Sequence, residues 1–238
     1  MSGKLYLIPN TLGDSPIGNV LPASLAEVLH SINHYIVEEI RTARRFLIKA
    51  GLKTPIDDLK FYELNKHSDK RFLAEYLLPL QNGENVGVIS EAGCPGIADP
   101  GADVVELAHK QGFTIVPIVG PSSILLALMA SGMNGQNFAF VGYLPVKQPQ
   151  RIKRIEELER RSSIENQSQL FIEAPYRNTQ LLTDILATCS KSTLLCIAAD
   201  ITLATEFIVT KTVEQWKKAI PDINKRPAIF ILHKKATF

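Results

Sequence analysis

Short apolar runs, parted by turns and by amphipathic stretches, organise the 238 residues. Lys4–Pro9 (KLYLIP), His34–Glu38, Leu59–Leu64 and Val86–Ile89 have the length and near-continuous apolarity of buried strands. Thr114–Val119, Phe138–Val141, Leu170–Glu173, Leu194–Ala199, Phe207–Thr210 and Ala228–His233 continue the series. Apolar spacing between them predicts helices. Ser24 caps a short one, a second runs from Arg41 to a stop at Gly51, and Ser68 caps a third with Leu73, Leu77 and Leu80 inward. Asp99 is the expected cap of the next, with Pro100 at its first position and Gly112 at its end. Ile124–Ala130 is apolar all round and stops at Gly132. Arg151–Ile164 turns Ile152, Ile155 and Leu158 inward, with Lys153–Glu157, Glu156–Arg160 and Glu157–Arg161 as i,i+4 pairs. Gly142–Pro149 before it looks like a linker or lid, and helices at Asn178–Thr188 and Val213–Ile220 complete the pattern. Strands alternating with helices argue α/β, in two domains of residues 1–118 and 119–238.

Two joints in this pattern are poor in side chains. After Val86–Ile89 comes Ser90-Glu91-Ala92-Gly93-Cys94-Pro95-Gly96, with no large side chain before Ile97. After Thr114–Val119 comes Gly120-Pro121-Ser122-Ser123. A strand, a loop of small residues and a helix start make the carboxyl-end crevice where α/β sheets take ligands. Neither joint is a GxGxxG fingerprint or a GxxxxGK[ST] phosphate loop, so those mechanisms do not transfer. Asn10–Pro22 is a long loop at another strand's carboxyl end, where function concentrates.

Composition narrows the class. Apolar residues make up 45% and charged residues 21%, ordinary for a soluble globular chain. No run approaches the roughly 20 apolar residues of a membrane span, and the first ten residues lack a signal-peptide core. Cys94, Cys189 and Cys196 have neither metal-ligand spacing nor a disulfide count, so a reduced, cytoplasmic protein without structural metal is expected. His67, His109 and His233 lie apart, in surface or capping roles. Residues 139–238 hold 15 Lys+Arg against 10 Asp+Glu, which permits contact with nucleic acid through that half. Ser122 lacks the setting of a hydrolytic nucleophile, of Glu38 and Glu39 only one can face a given cleft, and Trp216 is expected as a core anchor.

SEAGCPGIADPG resembles the SDAGTPxISDPG block of the tetrapyrrole methylase superfamily, in its branch of small-subunit rRNA ribose methyltransferases. Pro16-Ile17-Gly18-Asn19 is similar to that family's TPIGN, and Glu38-Glu39-Ile40-Arg41-Thr42-Ala43-Arg44 to EDTRxTR. Val119–Ser123 resembles PGPSA, Gly142–Lys147 resembles GFLPRK, and Phe171–Arg177 resembles FYESPHR. The resemblance implies two αβα domains, a homodimer, and S-adenosylmethionine in a cleft between the domains. It implies cofactor contacts from Pro9, Ser90, Glu91, Ala92, Gly93, Ile97 and Ala98 in the first half. Pro121, Ser122, Ser123, Tyr143, Leu144, Ala174, Pro227 and Ala228 are implied further on. Asn19, Glu39, Arg41 and Arg44 would place the substrate, and no metal is needed. The acceptor implied is small-subunit rRNA at a ribose 2′-hydroxyl. A corrinoid or porphyrinoid ring is the alternative acceptor, and a non-catalytic ribosome-associated protein is a further alternative. Glu91 and Cys94 replace the family block's Asp and Thr, and Arg226-Pro227 replaces its usual GE.

Overall fold

A computed structural model describes residues 2–65 and 67–235. The chain divides into two compact units, Met1–Ser122 and Ser123–Phe238. The division falls four residues beyond the one expected from sequence.

The first unit carries a wholly parallel sheet of β1 (Lys4–Ile8), β2 (Ile32–Val37), β3 (Lys60–Glu63), β4 (Asn85–Ile89) and β5 (Thr114–Pro117), in the order β3-β2-β4-β1-β5. β4 lies at the centre and is buried along most of its length, which is why VGVI is apolar without alternation. Ile8 and Val37 both pair with Ile89, so β1, β2 and β4 end level with one another. Helices α1 (Leu25–Leu29), α2 (Ile40–Lys49), α3 (Leu73–Tyr76), α4 (Leu78–Gln81) and α5 (Gly101–Lys110) flank the sheet. One face packs around Tyr35, Phe46 and Leu47, the other around Leu77, Leu80 and Val104.

Two expected caps are absent here. Ser24 is helical and makes no side-chain cap. Ser68 instead accepts the Asn65 N–H at 2.9 Å, and the helix assigned to it is broken into a 3-10 turn, α3 and α4. Pro79 near the start of α4 explains the break, since it has no N–H to continue the ladder. Asp99 lies one residue before the cap position, yet its Oδ1 accepts N–H groups from Gly101 at 2.7 Å and Gly96 at 2.8 Å.

The second unit has a mixed sheet of β6 (Phe138–Tyr143), β7 (Ser168–Ile172), β8 (Leu194–Ala199), β9 (Phe207–Thr212) and β10 (Ala228–His233), in the order β6-β7-β10-β8-β9. Only β6 and β7 are parallel; β10 runs antiparallel to both its neighbours. α6 (Ser123–Ser131), α7 (Gln148–Glu165), α8 (Asn178–Thr188) and α9 (Val213–Lys218) complete the unit. Ile155, Leu158, Phe171, Phe230 and Trp216 share its core, and the indole N–H donates to the Leu195 carbonyl at 2.8 Å. β6 runs through Gly142 to Tyr143, so the expected linker is partly strand. On α7 the ion pairs are Arg154–Glu157 and Arg161–Glu165 in place of the three expected. Its buried stripe includes Arg151 rather than Ile152, and Arg151 pairs with Asp184 of α8 at 2.6 Å. His233 is a buried strand end whose Nδ1 lies 3.3 Å from the Ser168 hydroxyl, not a surface residue.

Candidate functional site

In the first unit the carboxyl ends of β1 and β4 are joined by Asn10 and Gly93. Asn10 N–H donates to the Gly93 carbonyl at 2.9 Å and Gly93 N–H returns a bond to Asn10 at 3.2 Å. The Asn10 side chain also donates to the carbonyls of Ser90 and Glu91, at 3.1 and 3.2 Å. Ser90, buried, donates from its hydroxyl toward Ala92 and Gly93 carbonyls at 3.2 Å each. The loop is therefore held by main-chain and short side-chain bonds, without bulky packing.

The second small-residue joint comes to the same place. The Cys94 thiol donates to the Pro121 carbonyl at 3.4 Å. Gly93 has φ +69°, and a Cβ there would stand 3.2 Å from Leu12 Cδ2 and 3.4 Å from the Pro121 oxygen. A Cβ on Gly120 would stand 2.2 Å from Pro9 Cβ, a clash with a rigid ring. The first joint and Gly120–Ser122 of the second lie in Met1–Ser122, and Ser123 begins the second unit. The corner they form is open on its outer side: Val119 is 80% exposed and Ile97 55%, with Ala92 and Ala98 exposed beside them. Exposed apolar residues beside a glycine-lined backbone suit the flat, largely apolar faces of a nucleoside, and no charged side chain crowds the glycines. These residues fit S-adenosylmethionine.

Behind the corner, Val37, Glu38, Ser90 and Asp99 line a cleft of about 10 Å³, room for one water and too small for a nucleoside. Glu38 follows the last residue of β2, with Oε1 3.5 Å from the Glu91 N–H. Burial raises its pKa, the Glu91 N–H opposes the rise, and the charges of Asp99 and Glu91 add to it. Burial likewise raises Asp99, against the N–H groups of Gly96 and Gly101. The Cys94 thiol is pushed up by burial and stays protonated at neutral pH.

The residues expected to place substrate divide. Glu39 is the N-cap of α2, accepting N–H bonds from Arg41 at 2.9 Å and Thr42 at 2.7 Å, which hold its pKa down. Arg44 pairs with Asp57 and lies over the Phe61 ring, so it is engaged structurally. Arg41 and Asn19 are exposed. Thr42 ties α2 to the corner, donating to Glu91 Oε1 at 2.7 Å. The sequence singles out neither Asn10 nor Thr42, and it leaves open which of Glu38 and Glu39 faces the cleft. Cap spacing was the available signal: in Glu38-Glu39-Ile40-Arg41-Thr42 the second acid caps the helix, which leaves the first at the strand end.

In the second unit, Tyr143 pairs with Ile172 and Ile229 pairs with the same residue, so Tyr143, Leu144, Ala174, Pro227 and Ala228 gather along one edge of the sheet. Tyr143 is exposed and Leu144 buried. Ser123 opens α6, directly after Ser122. The edge is locked by Arg177 on buried Glu173, at 2.5 Å, and by Arg226 on Asp200, at 2.7 Å. Among the described residues no group of His, Cys, Asp and Glu could hold a metal ion, and no helix is long and apolar enough to cross a membrane.

The pattern of the tetrapyrrole (corrin/porphyrin) methylases matches residues 27–217. The chain is 28% identical to "Ribosomal RNA small subunit methyltransferase I" of Pasteurella multocida over 99% of its own length and 80% of the relative's. With the protein of that name from Xylella fastidiosa it shares 26% over 97% and 80% of the two chains. With that from Bacillus subtilis it shares 32% over 76% and 58%. Among solved structures, the methyltransferase CobJ superposes with a TM-score of 0.65 at 16% identity, covering 98% of this chain and 95% of the other. The cobalt precorrin-4 methyltransferase CbiF gives 0.61 at 14%, covering 97% and 94%. At such identities the structures establish the fold alone. The chain belongs to the tetrapyrrole (corrin/porphyrin) methylase family and is a methyltransferase whose methyl donor is S-adenosylmethionine.

Proposed function

We propose that the acceptor is small-subunit ribosomal RNA and that the methyl group goes to a ribose 2′-hydroxyl. The observation that carries this reading is the end-to-end similarity to proteins of one name, over 97–99% of the chain. The solved relatives that act on tetrapyrroles share the fold at no more than 17% identity, which gives the ring acceptor no comparable support.

S-adenosylmethionine supplies an electrophilic methyl on a sulfonium, which an oxygen attacks in line as the sulfur–carbon bond breaks. The protein must orient that oxygen and receive its proton. Gly93, Ala92, Ile97 and Pro121 would hold the donor by close backbone approach, joined by Pro9, Ser122 and Ser123. Ser90 and Glu91 act within the loop, Ser90 on its carbonyls and Glu91 on Thr42. Glu38 is the proton acceptor in this reading: it sits at the strand end, its carboxyl is half-buried, and Glu39 is committed to the helix cap. Asn19 and Arg41, both exposed, would position RNA, while Arg44 supports α2 through Asp57. The acting species is a homodimer in the cytoplasm, checked by sedimentation at twice the chain mass and by fractionation of cells.

The test is transfer of labelled methyl from S-adenosylmethionine into small ribosomal subunits from cells lacking the protein, followed by alkaline hydrolysis. Label in alkali-resistant dinucleotides identifies ribose methylation. Label in free mononucleotides moves the acceptor to a base, and no label in RNA overturns the reading.

A further inference from the structure

α2 stands out electrostatically. Residues 1–122 contain 11 Lys+Arg and 14 Asp+Glu, so this unit is acidic overall. Yet the ten residues of α2, IRTARRFLIK, hold four cations and no acid. Ala43, Phe46 and Leu47 face the core, which leaves the cations outward or at the flanks. Two of the four are engaged: Arg44 by Asp57, and Lys49 by Asp14 at 2.9 Å and the Ser15 carbonyl at 3.1 Å. Arg41 and Arg45 are exposed and make no ion pair among the described residues. They lie one turn apart on the same side, about 6 Å along the axis, with Lys49 a turn further on. The helix also begins at the Gly93 corner, since Thr42, between Arg41 and Arg45 in sequence, bonds Glu91, and the Arg41 charge is felt by the capping Glu39 at that end.

A solvated helix face is the ordinary fate of exposed arginines, and it would normally carry compensating acids at i,i+4. None is present in α2. Like charges at i,i+4 destabilise an isolated helix, so a row of them in an acidic unit calls for an external anion. Resting on the rRNA reading above, we propose that Arg41 and Arg45, with Lys49 beyond them, form the surface that grips the phosphate backbone of the RNA acceptor and leads it to the corner at Glu91. Backbone phosphates fit because the cations are in a line, Arg41 and Arg45 make no ion pair among the described residues, and no exposed aromatic of α2 offers a platform for bases.

The experiment uses the full chain with small ribosomal subunits from cells lacking it. KM, kcat and the salt dependence of KM are measured for wild type and for Arg45→Gln, Arg45→Glu and Arg45→Lys, with S-adenosylmethionine affinity as the control for folding. Arg45→Gln should raise KM for subunits about three- to tenfold and lower the salt slope by about one, with kcat and cofactor affinity unchanged. Arg45→Glu should raise KM further, and Arg45→Lys should stay near wild type because a point charge still serves a phosphate. An Arg41→Gln, Arg45→Gln double variant should lower the slope by about two. If KM and slope are unchanged in the Gln and Glu variants while wild type methylates subunits, the surface is wrong and the substrate reading stands. If wild type transfers no methyl to subunits, the substrate reading fails and this surface fails with it.

Discussion

At Gly93, backbone conformation and steric room decide the same question. Its φ of +69° disfavours any side chain, and the nearest atoms to an added Cβ are Leu12 Cδ2 at 3.2 Å and the Pro121 oxygen at 3.4 Å. A methyl group would strain the turn by about 1–2 kcal/mol. A β-branched residue would also push Leu12 or Pro121 away. Gly93→Ala should therefore weaken S-adenosylmethionine binding about tenfold and Gly93→Val about a hundredfold or more, measured by titration calorimetry; equal affinities would remove the corner from the cofactor site. Glu38 supplies the second residue-scale prediction. Its pKa is raised, so below that value the carboxyl keeps its proton and cannot accept another. Activity should climb with pH through an acid limb lying above the ordinary glutamate value. Glu38→Gln should lower kcat about a hundredfold and abolish that limb without altering cofactor affinity. The glycines were legible in sequence because positive φ and close approach leave few alternatives. The division of labour between Glu38 and Glu39 was not, because alternation along a strand says only that the two diverge. The N-cap bonds to Arg41 and Thr42 decide which acid remains for chemistry.

At the scale of elements, the least expected feature is the charge inside the second unit. Arg151 is 1% exposed and Asp184 4%. Arg151 Nε donates to Asp184 Oδ2 at 2.7 Å, its Nη1 to the Val146 carbonyl at 2.6 Å, and Gln148 donates to Asp184 Oδ1 at 2.8 Å. The pair thus fastens α7 to α8 and holds the turn that follows Leu144. Removing one partner strands a buried charge, at a cost of about 3–5 kcal/mol, whereas replacing both by apolar residues can be nearly neutral. Arg151→Met and Asp184→Leu should each lower the urea midpoint strongly, and the double variant should recover much of the loss. Additive losses would show that the pair is not coupled. The sequence pattern turns Ile152 rather than Arg151 inward on α7, since arginine in a charged stretch has no apolar signature. The parallel sheet of the first unit was more legible: LYLI and VGVI are apolar without interruption because both faces are covered. The mixed sheet of the second unit was not, because alternation of strands with helices does not fix strand direction, and β10 runs opposite to both neighbours.

At the scale of the molecule, each unit has its own hydrophobic interior: Leu5, Tyr35, Leu47 and Leu77 belong to the first, Ile155, Leu158, Phe230 and Trp216 to the second. A core of its own gives each unit the means to unfold cooperatively. Trp216 is the single tryptophan, buried in the second unit, so its fluorescence reports that unit alone. Far-ultraviolet circular dichroism reports helices and strands of both. Coincident transitions by different probes mark two-state unfolding, so non-coincidence is the expected signature here. Leu47 is fully buried in the first unit, and Leu47→Ala should cost about 2–5 kcal/mol there. In urea it should shift part of the dichroism curve to lower concentration and leave the fluorescence midpoint in place. Leu158→Ala, equally buried in the second unit, should do the reverse and move the fluorescence midpoint. If both variants shift both probes by equal amounts, the chain unfolds as one cooperative block, and a substitution in either core will then weaken the corner at Gly93 equally.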